Sequence, residues 1–178
     1  MTKEMRKAIH DIIARVLDLE GKRVIWRNQD GIKIANPVVT LFVYSKQAQA
    51  MAEFRQGSEE GTKAVYVPTD AVLEVQMFDQ RGEFPSDKLE YLVRCLELPD
   101  VVEECTKAGI VFFDSEPVQD VTVLLPNSQQ YEPRAAVDLH IRYAEVMTAN
   151  VGEIDEVAIN GTVGERTLSF SVPNVDNE

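Results

Sequence analysis

The sequence predicts an α+β domain: a mostly antiparallel sheet flanked by helices on one side, with a C-terminal β-hairpin arm. Three observations carry this reading. Between Tyr131 and Val146, the residues Val137, Leu139, Ile141 and Tyr143 alternate with Asp138, His140 and Arg142. That is the two-residue period of a strand with one buried face. Three earlier segments instead repeat apolar residues three and four apart, as helices do when a single stripe faces a core. Near the end, Leu168, Phe170 and Val172 alternate with Thr167, Ser169 and Ser171, which supplies the second strand of a hairpin. The 131–146 strand comes after all three helices, so it pairs with strands made much earlier and is read as central. Glu132 and Arg134 extend its polar face, where they can pair with each other or with a neighbouring strand.

In chain order, Lys3–Leu19 is the first helix. Met5, Ile9, Ile12, Ile13, Val16 and Leu17 line one face, Thr2 can cap the start, and Gly21 can stop the helix in the left-handed conformation. Val24–Trp26 is a short strand, and Asn28-Gln29-Asp30-Gly31 is a turn signal. Pro37 opens Val38–Tyr44, whose nearly continuous apolar run predicts burial on both faces or an interface position. Gln47–Thr62 is polar, carries Gly57 and Gly61, and reads as a mobile loop or a strand extension. A strand resumes at Lys63–Val67, which Pro68 is expected to interrupt; beyond it Leu73, Val75 and Met77 mark a better strand. Ser86 is the expected N-cap of Asp87–Leu96, with Leu89, Leu92, Val93 and Leu96 as its stripe. Pro99 opens a further helix to Lys107, and Gly109 ends it. Ile110–Phe113 reads as a short buried strand, and Val118–Leu125 as an apolar segment broken by Pro126-Asn127-Ser128. Ile154–Asn160 and Thr167–Val172, separated by Gly161 and Gly164, form the terminal hairpin. An isolated two-stranded hairpin is marginal in water, so residues 151–178 should dock as an arm on their own 1–150 domain or on a neighbouring copy.

A chain of 178 residues can bury one sizeable core. Thirty acidic against 18 basic residues give a net charge of −12, and no local cluster of lysines or arginines stands out. This argues against a nucleic-acid-binding surface. Met1–Gly21 carries charges throughout and no long apolar run, so it reads as neither a signal peptide nor a membrane span. Cys95 and Cys105 fall in separate helices without CxxC spacing, which predicts reduced thiols in a cytoplasmic protein.

The sequence offers no glycine-rich phosphate loop, nucleophile elbow or HExxH pair. His10 and His140 stand apart; His10 adjoins Asp11, but adjacent helix residues do not face each other. Asp30 reads as a turn residue, and Asp114, Glu116 and Asp120 as a solvated loop rather than an ion site. No catalytic residue, cofactor or metal is expected, and the chain is not read as an enzyme. Trp26, the single tryptophan, is read as a core or interface anchor. A binding or assembly module follows. A ligand-binding or enzyme domain of similar layout would need a convergent pocket of titratable residues.

Three segments carry a resemblance. Val24–Leu41, VIWRNQDGIKIANPVVTL, pairs hydrophobic residues with a glutamine-containing polar turn, then a proline and an apolar strand ending in Thr-Leu. Val118–Leu139 contains Val-x-Asp followed by Glu-x-Arg-Ala-x-Val-Asp, and Gly152–Gly161 contains Ile-x-x-Val-x-Ile-x-Gly. Together, and in this order, they resemble the neck and tail terminator proteins of tailed bacteriophages. The chain departs from that pattern at Ile32-Lys33-Ile34-Ala35, where the family carries a proline-rich turn. The resemblance implies a virion protein at the head–tail junction, assembled in the host cytoplasm. It implies self-association into a ring, commonly of six, that caps the tail tube and joins it to the head connector, meeting a sheath if the tail is contractile. It implies no sequence-specific nucleic acid and no membrane partner. An acidic ring also suits a channel for DNA, because it repels phosphate. The expected interface residues are Trp26, Glu132, Arg134, Ile154, Val157, Ile159, Leu168 and Phe170, with the Gln47–Thr62 segment a further candidate for subunit contacts.

Overall fold

The computed structural model describes residues 1–27, 34–57, 62–126, 130–150, 156–163 and 166–173, and from residue 150 onward the backbone alone. Helix α1 (Lys3–Val16) starts where Thr2 Oγ1 accepts a hydrogen bond from the Met5 amide at 3.2 Å. This satisfies one of the amides that have no partner inside a helix. Its Ile9, Ile12 and Ile13 are fully buried, as the stripe predicts. Its end differs from expectation: the left-handed residue is Asp18 (φ 50), not Gly21. The Leu19 amide donates to the Ala14 carbonyl (2.8 Å) and the Asp18 amide to that of Arg15 (3.2 Å), which closes the helix as a Schellman motif. Aspartate tolerates this conformation better than most side-chain-bearing residues. Gly21 instead opens a single 3-10 turn, Gly21–Arg23. Asp18→Gly is expected to raise stability by about 0.5 kcal/mol, relief of strain being partly offset by glycine's freedom in the unfolded chain. Urea unfolding of the two proteins measures this.

After α1 come β1 (Val24–Trp26), β2 (Val38–Ala48), β3 (Glu53–Gln56), β4 (Thr62–Phe78), α2 (Pro85–Cys95), α3 (Pro99–Lys107), β5 (Ile110–Ser115), β6 (Gln119–Asp120), β7 (Val123–Leu125), β8 (Gln130–Glu132), β9 (Arg134–Asn150), β10 (Glu156–Val163) and β11 (Arg166–Pro173). The backbone divides into two compact units, Met1–Ala52 with Val67–Glu145, and Glu53–Tyr66 with Val146–Glu178.

In the first unit the sheet runs β1-β2-β4-β9-β5, with β6 also on β9. β1 is parallel to β2, and the β2–β4, β5–β9 and β6–β9 pairs are antiparallel. β9 is an interior strand, as its alternation predicts. Val39 and Leu41 of β2, Leu73, Val75 and Met77 of β4, and Val137, Leu139, Ile141 and Tyr143 of β9 form one core with the buried stripes of the helices. Those stripes are Ile9, Ile12 and Ile13 of α1, Leu89 and Leu92 of α2, and Val101 and Cys105 of α3. The helices thus lie on one side of the sheet. β7 and β8 pair as a short antiparallel ribbon.

Several local expectations need correction. Val38–Tyr44 is buried on both faces only at its start: Val38, Val39 and Leu41 are buried, while Phe42 is half-buried and Tyr44 exposed. The strand extends to Ala48, so the start of Gln47–Thr62 is a strand extension, the second of the two expected alternatives. Pro68 does not interrupt β4, which runs through it. Ala48, the last residue of β2, is opposite Thr69, so Pro68 lies just beyond that pairing. A missing amide donor costs no ladder bond there, and the Pro68 carbonyl still accepts from the Gln49 amide at 3.0 Å. Ser86 lies inside the first turn of α2, because Pro85 occupies its first position with Phe84 as N-cap; the fixed φ of proline suits that place. Ile110–Phe113 is only partly buried. β5 is a terminal strand with a register shift after Phe112, and Val111 and Phe113 are half-exposed. Helix α3 matches expectation, ending in Gly109 at φ 72. The Asn28–Gly31 turn, Gly61 and the Asn127-Ser128 break lie outside the described residues.

In the second unit β3 pairs antiparallel with the start of β4, Glu53 opposite Tyr66 and Gln56 opposite Lys63. Arg55 bonds Glu53 (2.9 Å) and lies over the Tyr66 ring at 4.7 Å. At Gly57 a Cβ would come within 2.1 Å of Thr62 Oγ1, so the close approach of the two strands requires glycine there. β10 and β11 form an antiparallel hairpin. Its strands run through Gly161, which was expected to separate them; glycine keeps both ladder groups, at a cost in stability.

Candidate functional site

The sheet face opposite the helices is open, and its residues are set by the same alternation that fills the core. Three arginines there each lie over a ring: Arg27 over Phe42 (5.4 Å), Arg134 over Phe78 (5.0 Å) and Arg142 over Phe113 (5.0 Å). Each also pairs with a carboxylate. Arg27 binds Glu74 and, at 2.6 Å, Gln76. Arg134 Nε donates to Glu132 at 2.6 Å. Arg142 holds both oxygens of Asp70, at 2.5 and 2.7 Å. Tyr44 donates to Asp138 at 2.7 Å, and His140 Nε2 lies 3.5 Å from Glu116. Planar guanidinium groups suit such stacked, forked contacts.

These pairings shift the titration of the groups that make them. The hydrogen bond from Arg142 holds the Asp70 carboxyl below the usual carboxylate range, and the hydrogen bond to Asp138 pushes the Tyr44 hydroxyl up. A carboxylate whose folded pKa is depressed stabilises the fold above its unfolded value, near pH 4, and that contribution vanishes as pH falls through the folded value. Arg142→Gln should therefore lower stability modestly at neutral pH, the pair being partly exposed and screened by water. The deficit should close as pH falls through the depressed folded value, as thermal melts across the acid range would show. Burial pushes the Cys105 thiol up to about 11, which makes it a poor nucleophile at neutral pH. Both cysteines are free and buried in α2 and α3. Among the described residues, no three His, Cys, Asp or Glu side chains could hold a metal ion, and no helix is long and apolar enough to cross a membrane.

The expected interface residues fall in separate places. Glu132 and Arg134 come together at the corner where β4 ends and β9 begins, and Asn36 Nδ2 lies 3.4 Å from Glu132. Trp26, the last residue of β1, is half-buried against the core, with the Arg6 guanidinium of α1 over its ring at 5.4 Å. In the hairpin, Val157 is opposite Val172, Ile159 opposite Phe170, and Leu168 opposite Gly161. Ile154 lies outside the described residues, as does Asp30. Asp114 and Asp120 accept from the amides of Ser115 (2.8 Å) and Thr122 (2.9 Å), so both carboxylates bond their own local backbone.

Two features escaped the sequence reading. Lys3, Arg6 and Lys7 share a groove with Trp26, although no basic cluster stands out along the chain; their i, i+3, i+4 spacing on α1 was the available signal. His10 does reach Asp11, Nδ1 lying 2.8 Å from Oδ1, contrary to expectation. The ring is turned along the helix because Nε2 lies 3.0 Å from the carbonyls of both Gly21 and Val24. That contact ties α1 to the entry of β1, and Gly21 leaves room for the ring, 3.3 Å from where a Cβ would stand.

On the open face of the first unit's sheet the three arginines are paired with carboxylates, and Tyr44, Val111 and Phe113 stand exposed around them. Such a surface suits protein contacts. No curated protein matches the chain. A model of the phage neck terminator protein family matches residues 3–167, nearly the whole length. The chain belongs to that family, a family of structural rather than enzymatic proteins, and is a component of the virion's head–tail junction, where it meets tail and head components.

Proposed function

We propose that the chain is a ring-forming neck and tail terminator subunit: copies, commonly six, cap the finished tail tube and join it to the head connector, meeting the sheath if the tail contracts. The observation that carries this reading is the family match over residues 3–167. The net charge of −12 supports it, since an acidic ring repels the DNA that must pass through it. Assembly takes place in the host cytoplasm, and the chain performs no catalysis.

Residues 1–150 are the body of the subunit and 151–178 its arm, with Ile154, Val157, Ile159, Leu168 and Phe170 packing on the same or a neighbouring copy. Trp26, Glu132 and Arg134 belong to the contacts of the body. Purified protein added to separate heads and tails from particles lacking it should restore joined virions. Failure of joining, with tails already of uniform length, would point instead to another head–tail completion adaptor. Deleting residues after Gly152 should leave a protein with an unchanged body by circular dichroism that no longer assembles on tails. A truncated protein that still assembles would contradict the arm.

A further inference from the structure

β1 and β5 end the sheet, and among the described residues β1 pairs only with β2 and β5 only with β9. An uncovered terminal strand offers unpaired backbone groups to another chain, so proteins cover or charge such edges. These two edges carry opposite charge. Beside β1, Lys3, Arg6, Lys7, His10 and Trp26 line one groove. Lys7 pairs with Asp11, but Lys3 and Arg6 are exposed and in no ion pair among the described residues.

Beside β5, an open groove of about 400 Å³ runs between the strand and helices α2 and α3. Val93, Leu96, Val102, Phe112 and Phe113 supply its apolar lining, and Glu97 and Asp114 stand at its rim. Both acids are exposed and in no ion pair among the described residues. Of the other acids on α2 and α3, Glu90 pairs with Arg94, Glu103 with Lys107 and Glu104 with Arg15.

We infer that the β5 groove is covered by the β1 edge of a second copy of this chain, Lys3 and Arg6 of one copy meeting Glu97 and Asp114 of the next. Copies carrying −12 each repel one another at long range, so close approach needs locally opposite surfaces, which these edges provide. The contact is heterologous: each copy donates one edge and receives at the other, so repetition closes a ring or extends a filament. The inference rests on the ring reading above and names the surfaces that build it.

The test uses two full-length variants, Lys3→Glu/Arg6→Glu and Glu97→Lys/Asp114→Lys. All four residues are exposed, so both variants should fold, with circular dichroism as the check. Each is added alone, and then both together, to an infected-cell extract whose own copy of the gene is disrupted. Each variant alone should lower the yield of joined virions at least about 100-fold, because every contact opposes like charges. The mixture should recover most of the wild-type yield, because alternating copies restore opposite charge at every contact. Folded variants that each work alone, or a mixture as inert as its components, would overturn the inference while wild-type rescue leaves the terminator reading intact. Wild-type protein that fails to rescue would overturn the terminator reading itself.

Discussion

Ile141→Ala is expected to destabilise the protein by about 2–5 kcal/mol, whereas His140→Ala, one residue earlier, should change stability by no more than about 0.5 kcal/mol. Ile141 is fully buried in the interior strand β9, within the core shared with β4 and the helices. Truncation there removes apolar area from the core and leaves a cavity that the flanking strands cannot close. His140 points to the open face, near Phe113 and Glu116, where water replaces whatever is removed. Urea denaturation of both variants measures the contrast. Similar losses at the two positions would mean that the open face is covered within a single chain.

Lys88→Met is expected to cost about 2–4 kcal/mol, below the full range for a buried pair because Lys88 reaches solvent. The cause lies in its partner: the Asp79 side chain is 2% exposed, with Lys88 Nζ at 2.7 Å. Removing the ammonium leaves a buried carboxylate supported by the Gln80 amide at 2.8 Å. Asp79 also joins three segments through its backbone, its amide donating to the Pro133 carbonyl and its carbonyl accepting from Asn36, both at 3.0 Å. The damage should therefore spread to the corner holding Glu132 and Arg134. A double-mutant cycle with Asp79→Asn checks the attribution: the double variant should lose much less than the sum of the two single ones. Additive losses would place the cost of Lys88→Met elsewhere, for instance in its second bond to Glu83 at 2.9 Å.

β9 and the second half of β4 were legible in the sequence because one face of each strand is core and the other is open, so the two-residue period survives in the residue types. The stripes of α1, α2 and α3 were legible for the same reason at the helical period. What escaped depends on partners distant in the chain. Pro68 reads as a break unless one knows that the pairing with β2 ends at Thr69, opposite Ala48. Ile110–Phe113 reads as buried because Val111 and Phe113 are apolar; only its place at the sheet margin exposes them. Asp18 took the left-handed position that glycine signals more strongly, so Gly21 misplaced the end of α1. The acidic rim of the β5 groove could not be read at all, since Glu97 follows α2 and Asp114 lies in β5, and only packing brings them together. The basic groove was closer to legible, as Lys3, Arg6 and Lys7 share one face of a helix.

The most direct measurement of the central claim is negative-stain imaging of particles made when this gene is disrupted. A terminator at the head–tail junction predicts DNA-filled heads beside separate tails that are unjoined or overlong, with normal virions returning when the gene is supplied in trans. Normal joined virions without the gene would contradict it.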